Sequence, residues 1–273
     1  MSTFELEIKK GQRYGFGNNW QSYLSTLTDE RIGEAEKSIM DMLGVNSLND
    51  KKILDIGSGS GLFSLAMRNL GAEVHSFDYD PASVACTREL RSRYYLNDPD
   101  WIVEEGSVLD EEFLKSLSTY DIVYSWGVLH HTGNMWTALE NAASLVKKNG
   151  FIIIAIYNDQ GGKSQFWKKV KKYYCSGILG KTIVSIVFIP LFFLKSIISS
   201  FIKMENEFTS YKSKRGMSIT HDWFDWLGGY PFEVASVEEI FHFFQKRGFV
   251  LKNIKTTNGL GNNQFVLVRE TDG

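Results

Sequence analysis

Lys51–Ile56 reads as a short strand that stops at Gly57-Ser58-Gly59-Ser60-Gly61, after which a helical pattern, Leu62–Leu70, follows and is closed by Gly71. Strand, glycine turn and helix in this order form the first half of a βαβ unit, whose next strand must lie parallel to the first. The sequence supplies it. Ala72–Phe77 reads as a strand, Pro81–Tyr95 as a helix, Trp101–Val103 and Tyr120–Ser125 as strands, Trp136–Lys148 as a helix ended by Asn149-Gly150, and Phe151–Tyr157 as an apolar strand. A helix over Thr28–Leu43, capped by Thr28 or Asp29, precedes this core. After Ser236 a helix runs to Arg247 and stops at Gly248, and Phe249–Thr256 with Gln264–Arg269 reads as a closing hairpin. The expected class is α/β: a mostly parallel sheet with helices on both faces. At 273 residues, 43% apolar and 23% charged, the chain is ordinary globular material for one large domain with an insertion. The reading divides it into 1–50 (cap and helix), 51–157 (ligand-binding core), 158–235 (insertion) and 236–273 (closing helix and hairpin).

The glycine loop carries chemistry. Glycines let a ligand approach the backbone, and the helix behind them aims its amide hydrogens at it. A dinucleotide-binding loop would read G-x-G-x-x-G. Here the sixth position is Leu62 and the glycines fall as G-x-G-x-G. Asp55, two residues before Gly57, would repel a pyrophosphate but suits a cationic ligand. S-adenosylmethionine, with a sulfonium, an ammonium and no phosphate, is such a ligand. Asp78, 21 residues after Gly57 at the end of the second strand, is placed to accept both ribose hydroxyls.

These residues resemble a class I S-adenosylmethionine-dependent methyltransferase. Leu54-Asp55-Ile56-Gly57-Ser58-Gly59-Ser60-Gly61 is similar to that family's first motif, and Phe77-Asp78-Tyr79-Asp80 to its ribose-binding segment. Gly106-Ser107-Val108 takes the place of the adenine-binding segment, with Ser107 where an Asp is common. Tyr120–His131 resembles the fourth motif. The resemblance covers about residues 50–157. It implies a Rossmann-like, seven-stranded sheet with one antiparallel strand and a helical lid insertion after the fifth strand, S-adenosylmethionine as cofactor with S-adenosylhomocysteine as product, and methyl transfer as the reaction. It also implies cofactor contacts from Asp55, Gly57, Ser58, Gly59, Gly61, Asp78, Tyr79, Ser107, Val108, Ser125 and Trp126. The acceptor varies within the family and is not implied.

Acceptor-site residues belong beyond the carboxyl ends of the first, fourth and fifth strands. His130 and His131 follow the fourth strand, and imidazole titrates near neutrality, so either is a candidate general base. Adjacent side chains do not share a helix face, so one of the two is expected to reach the pocket. Tyr157 and Asn158 follow the fifth strand. Phe16 and Trp20 lie in a glycine- and aromatic-rich stretch that reads equally as a cover for the cofactor or as a packed terminal arm. Arg215–Glu233 concentrates aromatics, glycines and ionisable groups, as a specificity pocket does. His221 is a further catalytic candidate from it, and Asp222, Asp225, Trp226, Tyr230 and Glu233 are candidate acceptor contacts. The two cysteines, Cys86 and Cys175, form no CxxC pattern, so neither a disulfide framework nor a metal site is expected. Met1–Lys10 has no apolar run of the signal-peptide kind. The expected location is cytoplasmic, with peripheral membrane contact as a variant.

Charge is uneven. Asn158–Thr220 holds ten Lys and one Arg against one Asp and two Glu, +8, and the remainder holds 19 basic and 29 acidic residues, −10. Within this basic segment Thr182–Ile202 is largely apolar over 21 residues, long enough for a bilayer. A true span is rejected, because Lys195 interrupts the run and a span would split one continuous sheet across a membrane. Pro190 is expected to divide the segment. Leu194, Ile197, Ile198, Phe201 and Ile202 would form an apolar face opposite Lys195, Ser199, Ser200 and Lys203. A helical cap packed on the body, an interfacial segment on anionic lipid, a lid and a dimer contact all fit this pattern, with monomer and homodimer both open. The acceptor is expected to be a small or medium-sized, anionic or lipid-linked molecule methylated on oxygen or nitrogen, such as a nucleotide-sugar, a glycan precursor or a lipid-quinone precursor. A tRNA-modifying enzyme is one alternative, against which the acidic body argues. A non-catalytic S-adenosylmethionine sensor is the other.

Overall fold

A computed structural model describes residues 2–203 and 219–270. Three N-terminal helices, α1 (Thr3–Lys9), α2 (Gly17–Leu24) and α3 (Asp29–Leu43), lead into β1 (Lys52–Ile56), α4 (Leu62–Asn69), β2 (Glu73–Asp78), α5 (Pro81–Tyr94) and β3 (Trp101–Glu105). Next come α6 (Glu111–Ser116), β4 (Tyr120–Trp126), a 3-10 turn (Leu129–His131), α7 (Met135–Ser144) and β5 (Val146–Tyr157). The insertion provides α8 (Gly162–Cys175), α9 (Ile178–Lys203) and α10 (Ile219–Gly228). The chain closes with α11 (Val237–Gln245), β6 (Phe249–Lys255) and β7 (Asn262–Arg269).

The sheet has seven strands in the order β3-β2-β1-β4-β5-β7-β6. β7 runs antiparallel between β5 and β6, and all other neighbours are parallel. Alternate residues of each strand serve opposite faces. Leu54, Val123 and Ile152 pack with Leu139, Ile240 and Phe244 of α7 and α11, while Ile53, Ile122 and Ile153 pack with Ile39, Leu65 and Leu90 of α3, α4 and α5. Both faces being covered explains why these strands read as continuous apolar runs. The strand order reverses between β1 and β4, which opens a crevice at their carboxyl ends.

Two elements differ from expectation. The helix expected over Trp136–Lys148 ends at Ser144, because Val146 pairs with Tyr120 and the Tyr120 amide donates to the Leu145 carbonyl. Sheet pairing overrides the apolar helical pattern there. Pro190 does not divide the insertion, and α9 runs through it as one helix. The proline lies on the exposed side, where the carbonyl it deprives of a partner can turn to solvent. α8, α9 and α10 form a small third layer in which Tyr174, Val184 and Leu227 are buried against Trp167, Phe188 and Phe192.

Candidate active site

A cavity of about 640 Å³ opens at the crevice between β1 and β4. Its floor is the glycine loop. Gly57 has φ 78°, and a Cβ there would lie 2.4 Å from Val128 Cγ1, so only glycine fits. A Cβ on Gly59 would come within 3.2 Å of the Trp20 indole, which roofs the loop from α2. Asp78 braces the loop from β2: Oδ2 accepts the Gly59 amide at 2.9 Å and Oδ1 the Asp80 amide at 2.9 Å. Asp80 caps α5 through Ala82 and accepts the Gly17 amide at 2.8 Å, fastening α2 over the loop. Burial pushes the Asp78 carboxyl up to about 6, against the lowering effect of its backbone donors.

Asp55 is buried beneath the loop and lines the same cavity. Its carboxylate accepts from the Ser64 hydroxyl, which accepts from Ser76 at 2.8 Å, which in turn accepts from Trp101 Nε1 at 3.0 Å. Burial pushes the Asp55 carboxyl up to about 7, with Asp78 adding to the rise. No cation offsets Asp55 among the described residues. Two desolvated carboxylates beside a loop that admits no side chain suit a ligand that brings positive charge and hydroxyl donors. Tyr79, Gly106, Ser107 and Val108 wall the cavity on the β2–β3 side, where the Ser107 hydroxyl accepts the Leu109 amide at 3.2 Å.

The opposite end of the cavity is lined by His131, Thr132, Tyr157, Asp222, Asp225, Tyr14 and Phe16. His131 Nδ1 donates to the Pro231 carbonyl at 2.6 Å, which fixes the neutral tautomer with its lone pair on Nε2. Burial, with Lys171 and Arg13 nearby, pushes the imidazole down to about 3, so it stays neutral at physiological pH. Asp225 accepts from Tyr14 Oη at 3.2 Å and from Asn19 Nδ2, and burial raises it to about 6. Arg13 donates to the His131 carbonyl at 2.8 Å and the Thr132 carbonyl at 3.2 Å, and stands 5.0 Å over the Tyr79 ring. It thereby locks the N-terminal segment across the cavity.

Residues 54–152 match the family model described as "Methyltransferase domain". That is a methyltransferase domain. Among relatives, the ubiquinone biosynthesis O-methyltransferase of Glaesserella parasuis is 28% identical over 113 residues, covering 41% of this chain and 48% of its own. That of Colwellia psychrerythraea is 26% identical over 149 residues, covering 53% and 54%. The chain thus spans about half the length of the relatives it matches. The fold is shared with magnesium protoporphyrin IX methyltransferase from Synechocystis PCC 6803 with bound SAH, at a TM-score of 0.53, 13% identity, and 88% and 83% coverage. It is also shared with a protein of Methanococcus maripaludis described as a "putative s-adenosyl-l-methionine-dependent methyltransferase", at 0.52, 15% identity, and 96% of both chains.

The fold brings Asp55, Gly57, Ser58, Gly59, Asp78, Tyr79, Ser107, Val108, Trp126 and His131, all within the matched residues, to the cavity, and with them Tyr157, Phe16, Trp20 and Asp222 from outside that match. Other candidates have different employment. Gly61 shapes the loop and starts α4 at φ 81°, packed against Thr87. The Ser125 hydroxyl donates to the Ile56 carbonyl at 3.0 Å, which ties β4 to β1 and keeps it out of the cavity. His130 is wholly buried: its Nδ1 accepts the Tyr157 amide at 3.3 Å and its ring packs 4.1 Å from Tyr157. Asn158 bonds Thr257, Gly259 and Asn263, closing the β7 end. Glu233 accepts the Met135 amide at 3.1 Å and so starts α7. Trp226 packs with Tyr157, Trp167 and Phe232 behind the cavity wall, and the Tyr230 carbonyl accepts the Tyr14 amide at 2.8 Å. The side chain of His221, like Arg215–Ser218, lies outside the described residues.

Neither Arg13, which lines the cavity, nor Lys171, which packs behind its wall, was legible in the sequence. Lys171 is buried, donates to the Trp226 carbonyl and lies 4.0 Å over the Trp226 ring and 5.0 Å over Phe232. Burial pushes it down to about 7. The signal was its spacing: Trp167, Lys171 and Tyr174 share one face of α8, so this lysine of the basic run points inward.

Proposed function

We propose that this chain transfers a methyl group from S-adenosylmethionine to a hydroxyl oxygen of a small or medium-sized amphiphilic acceptor. When bound, the cofactor supplies an electrophilic methyl carbon. Asp78 would hold its ribose hydroxyls, the Gly57–Gly59 amides would face its amino-acid end, and Asp55 would offset its positive charge. The residues at the other end do the remaining work. His131 Nε2 accepts the hydrogen bond of the acceptor hydroxyl and turns an oxygen lone pair toward the methyl carbon. Because its imidazolium is disfavoured, His131 orients the hydroxyl more than it strips it, and the proton leaves as the new bond forms. That proton leaves through the Nε2 it is bonded to and passes on to solvent, while Asp225, held by Tyr14 and Asn19, keeps this end of the cavity negative.

The observation that carries this reading is one continuous cavity with the glycine–Asp78 cradle at one end and His131, Tyr157 and Asp225 at the other. A sensor would have no use for the second end. The relatives named as ubiquinone biosynthesis O-methyltransferases support an oxygen acceptor, and the aromatic lining supports an apolar ring. The test is transfer of labelled methyl to catechol and to a long-chain alkyl catechol. The alkyl compound should show a KM at least tenfold below that of catechol. His131→Ala should lower kcat by about 10²–10⁴-fold while S-adenosylhomocysteine still binds. Equal turnover of the variant and the parent would remove His131 from the mechanism.

A further inference from the structure

α9 is built inside out. Ile183, Val187, Leu191, Leu194, Ile198 and Ile202 recur at three- and four-residue steps and are all exposed. On the other side Ser196 is buried, and the Ser200 hydroxyl donates to its carbonyl at 2.8 Å. Of the expected apolar face, Leu194, Ile198 and Ile202 are exposed and Ile197 is half-buried, and Lys195 is exposed beside them. The stripe is about 30 Å long at 1.5 Å per residue. Phe166 of α8, exposed and 6.3 Å from Phe188, widens it. A continuous apolar surface of this extent marks an interaction site.

Its surroundings name the partner. Gln160–Lys203 contains eight lysines and no Asp or Glu. Lys163, Lys168, Lys169, Lys172, Lys181 and Lys195 are exposed, and Lys195 borders the stripe. We propose that α9 lies flat on a bilayer containing anionic lipid, with the stripe at the headgroup–acyl boundary and the lysines among the phosphates. A span would place β5 and β6, which both pair with β7 in one sheet, on opposite sides of the membrane. A second copy of the chain is a poor occupant, since apposed stripes would bring lysine to lysine with no acid in this segment to pair them. The surface does not depend on the reaction. Phe192, Trp167 and Trp226 link it by ring contacts to Tyr157 at the cavity.

The test is sedimentation of the full chain with phosphatidylcholine vesicles and with mixed phosphatidylcholine–phosphatidylglycerol vesicles. Binding to the anionic vesicles should be at least tenfold tighter and should weaken with salt. Val187→Asp with Leu194→Asp should reduce it at least tenfold. Lys168→Glu with Lys169→Glu should reduce it more than twentyfold, at roughly fivefold per lysine. S-adenosylhomocysteine affinity, unchanged in each variant, shows that the fold is kept, and Leu194→Gln provides a milder second probe of the stripe. No binding to anionic vesicles, or binding indifferent to both sets of changes, overturns the proposal. So does a dimer in light scattering that Leu194→Asp separates while vesicles bind neither form.

Discussion

Asp78→Asn separates a functional carboxylate from a structural one. In the parent, each oxygen already accepts one backbone amide, from Gly59 and from Asp80, both at 2.9 Å. A ribose hydroxyl must use the remaining lone pairs. The amide is nearly isosteric, but its NH2 must face one of those two N–H donors, so one brace on the loop is lost whichever way the group turns. A hydrogen bond to a charged acceptor contributes about 1.5–3 kcal/mol, or roughly 10- to 150-fold in affinity. S-adenosylhomocysteine should therefore bind about 10- to 150-fold more weakly by isothermal titration. The apo protein should behave differently. Burial already holds this carboxyl at about 6, so a neutral replacement relieves a desolvation cost that offsets the lost brace. Its Tm should change little or rise. Affinity within twofold of the parent would refute the ribose-binding role. A large parallel fall in Tm and affinity would make Asp78 a structural residue.

Three further outcomes follow from the same geometry. Gly57→Ala forces a side chain into φ 78° and within 2.4 Å of Val128, and titration should show cofactor binding lost, with a lowered Tm. Asp55 and Asp78 have folded pKa values of about 7 and 6, above the unfolded 3.8, so the native state retains protons that the unfolded chain releases. Their contribution to stability is greatest below about pH 4 and is lost as pH rises toward 7; apo Tm should show this component, and Asp55→Asn should flatten it. A cationic ligand reverses the preference, so binding should release protons near pH 6.5, seen as a buffer-dependent titration enthalpy. Lys171, lowered to about 7 from 10.5, contributes stability above about pH 10 that is lost as pH falls to 7. The Tm of Lys171→Met relative to the parent should therefore improve as pH falls from 10 to 7, and a constant difference would show that the lysine is not buried as described.

The core was legible because its physics is local. Parallel strands covered on both faces must be apolar throughout, and Gly57, Gly71 and Gly248 punctuate them, so element order and the Asp55–Asp78 cradle could be read from residue spacing. Where tertiary contacts decide, the reading failed. Leu145 and Val146 continue a helical apolar pattern, yet the pairing of Val146 with Tyr120 makes them the start of a strand. Ser125 and Asn158 sit at the right strand ends, but their polar groups are consumed by carbonyls and amides that the sequence does not display. Lys171 was hidden in a run of surface lysines, and only its register with Trp167 and Tyr174 marked it as buried. The sequence separated an apolar from a polar face of α9 but could not say which one meets the body; the structure exposes Leu194 and Ile198 and buries Ser196.

The central claim is that a cradle for S-adenosylmethionine and an acceptor end share one cavity. Mass spectrometry of a long-chain alkyl catechol incubated with the protein and S-adenosylmethionine tests it most directly. The account predicts a product heavier by one methylene, methylated on oxygen, with one S-adenosylhomocysteine formed per product and both abolished in parallel by Gly57→Ala. Tight binding of S-adenosylmethionine with neither product nor S-adenosylhomocysteine formed, on this acceptor and its shorter relatives, would contradict it.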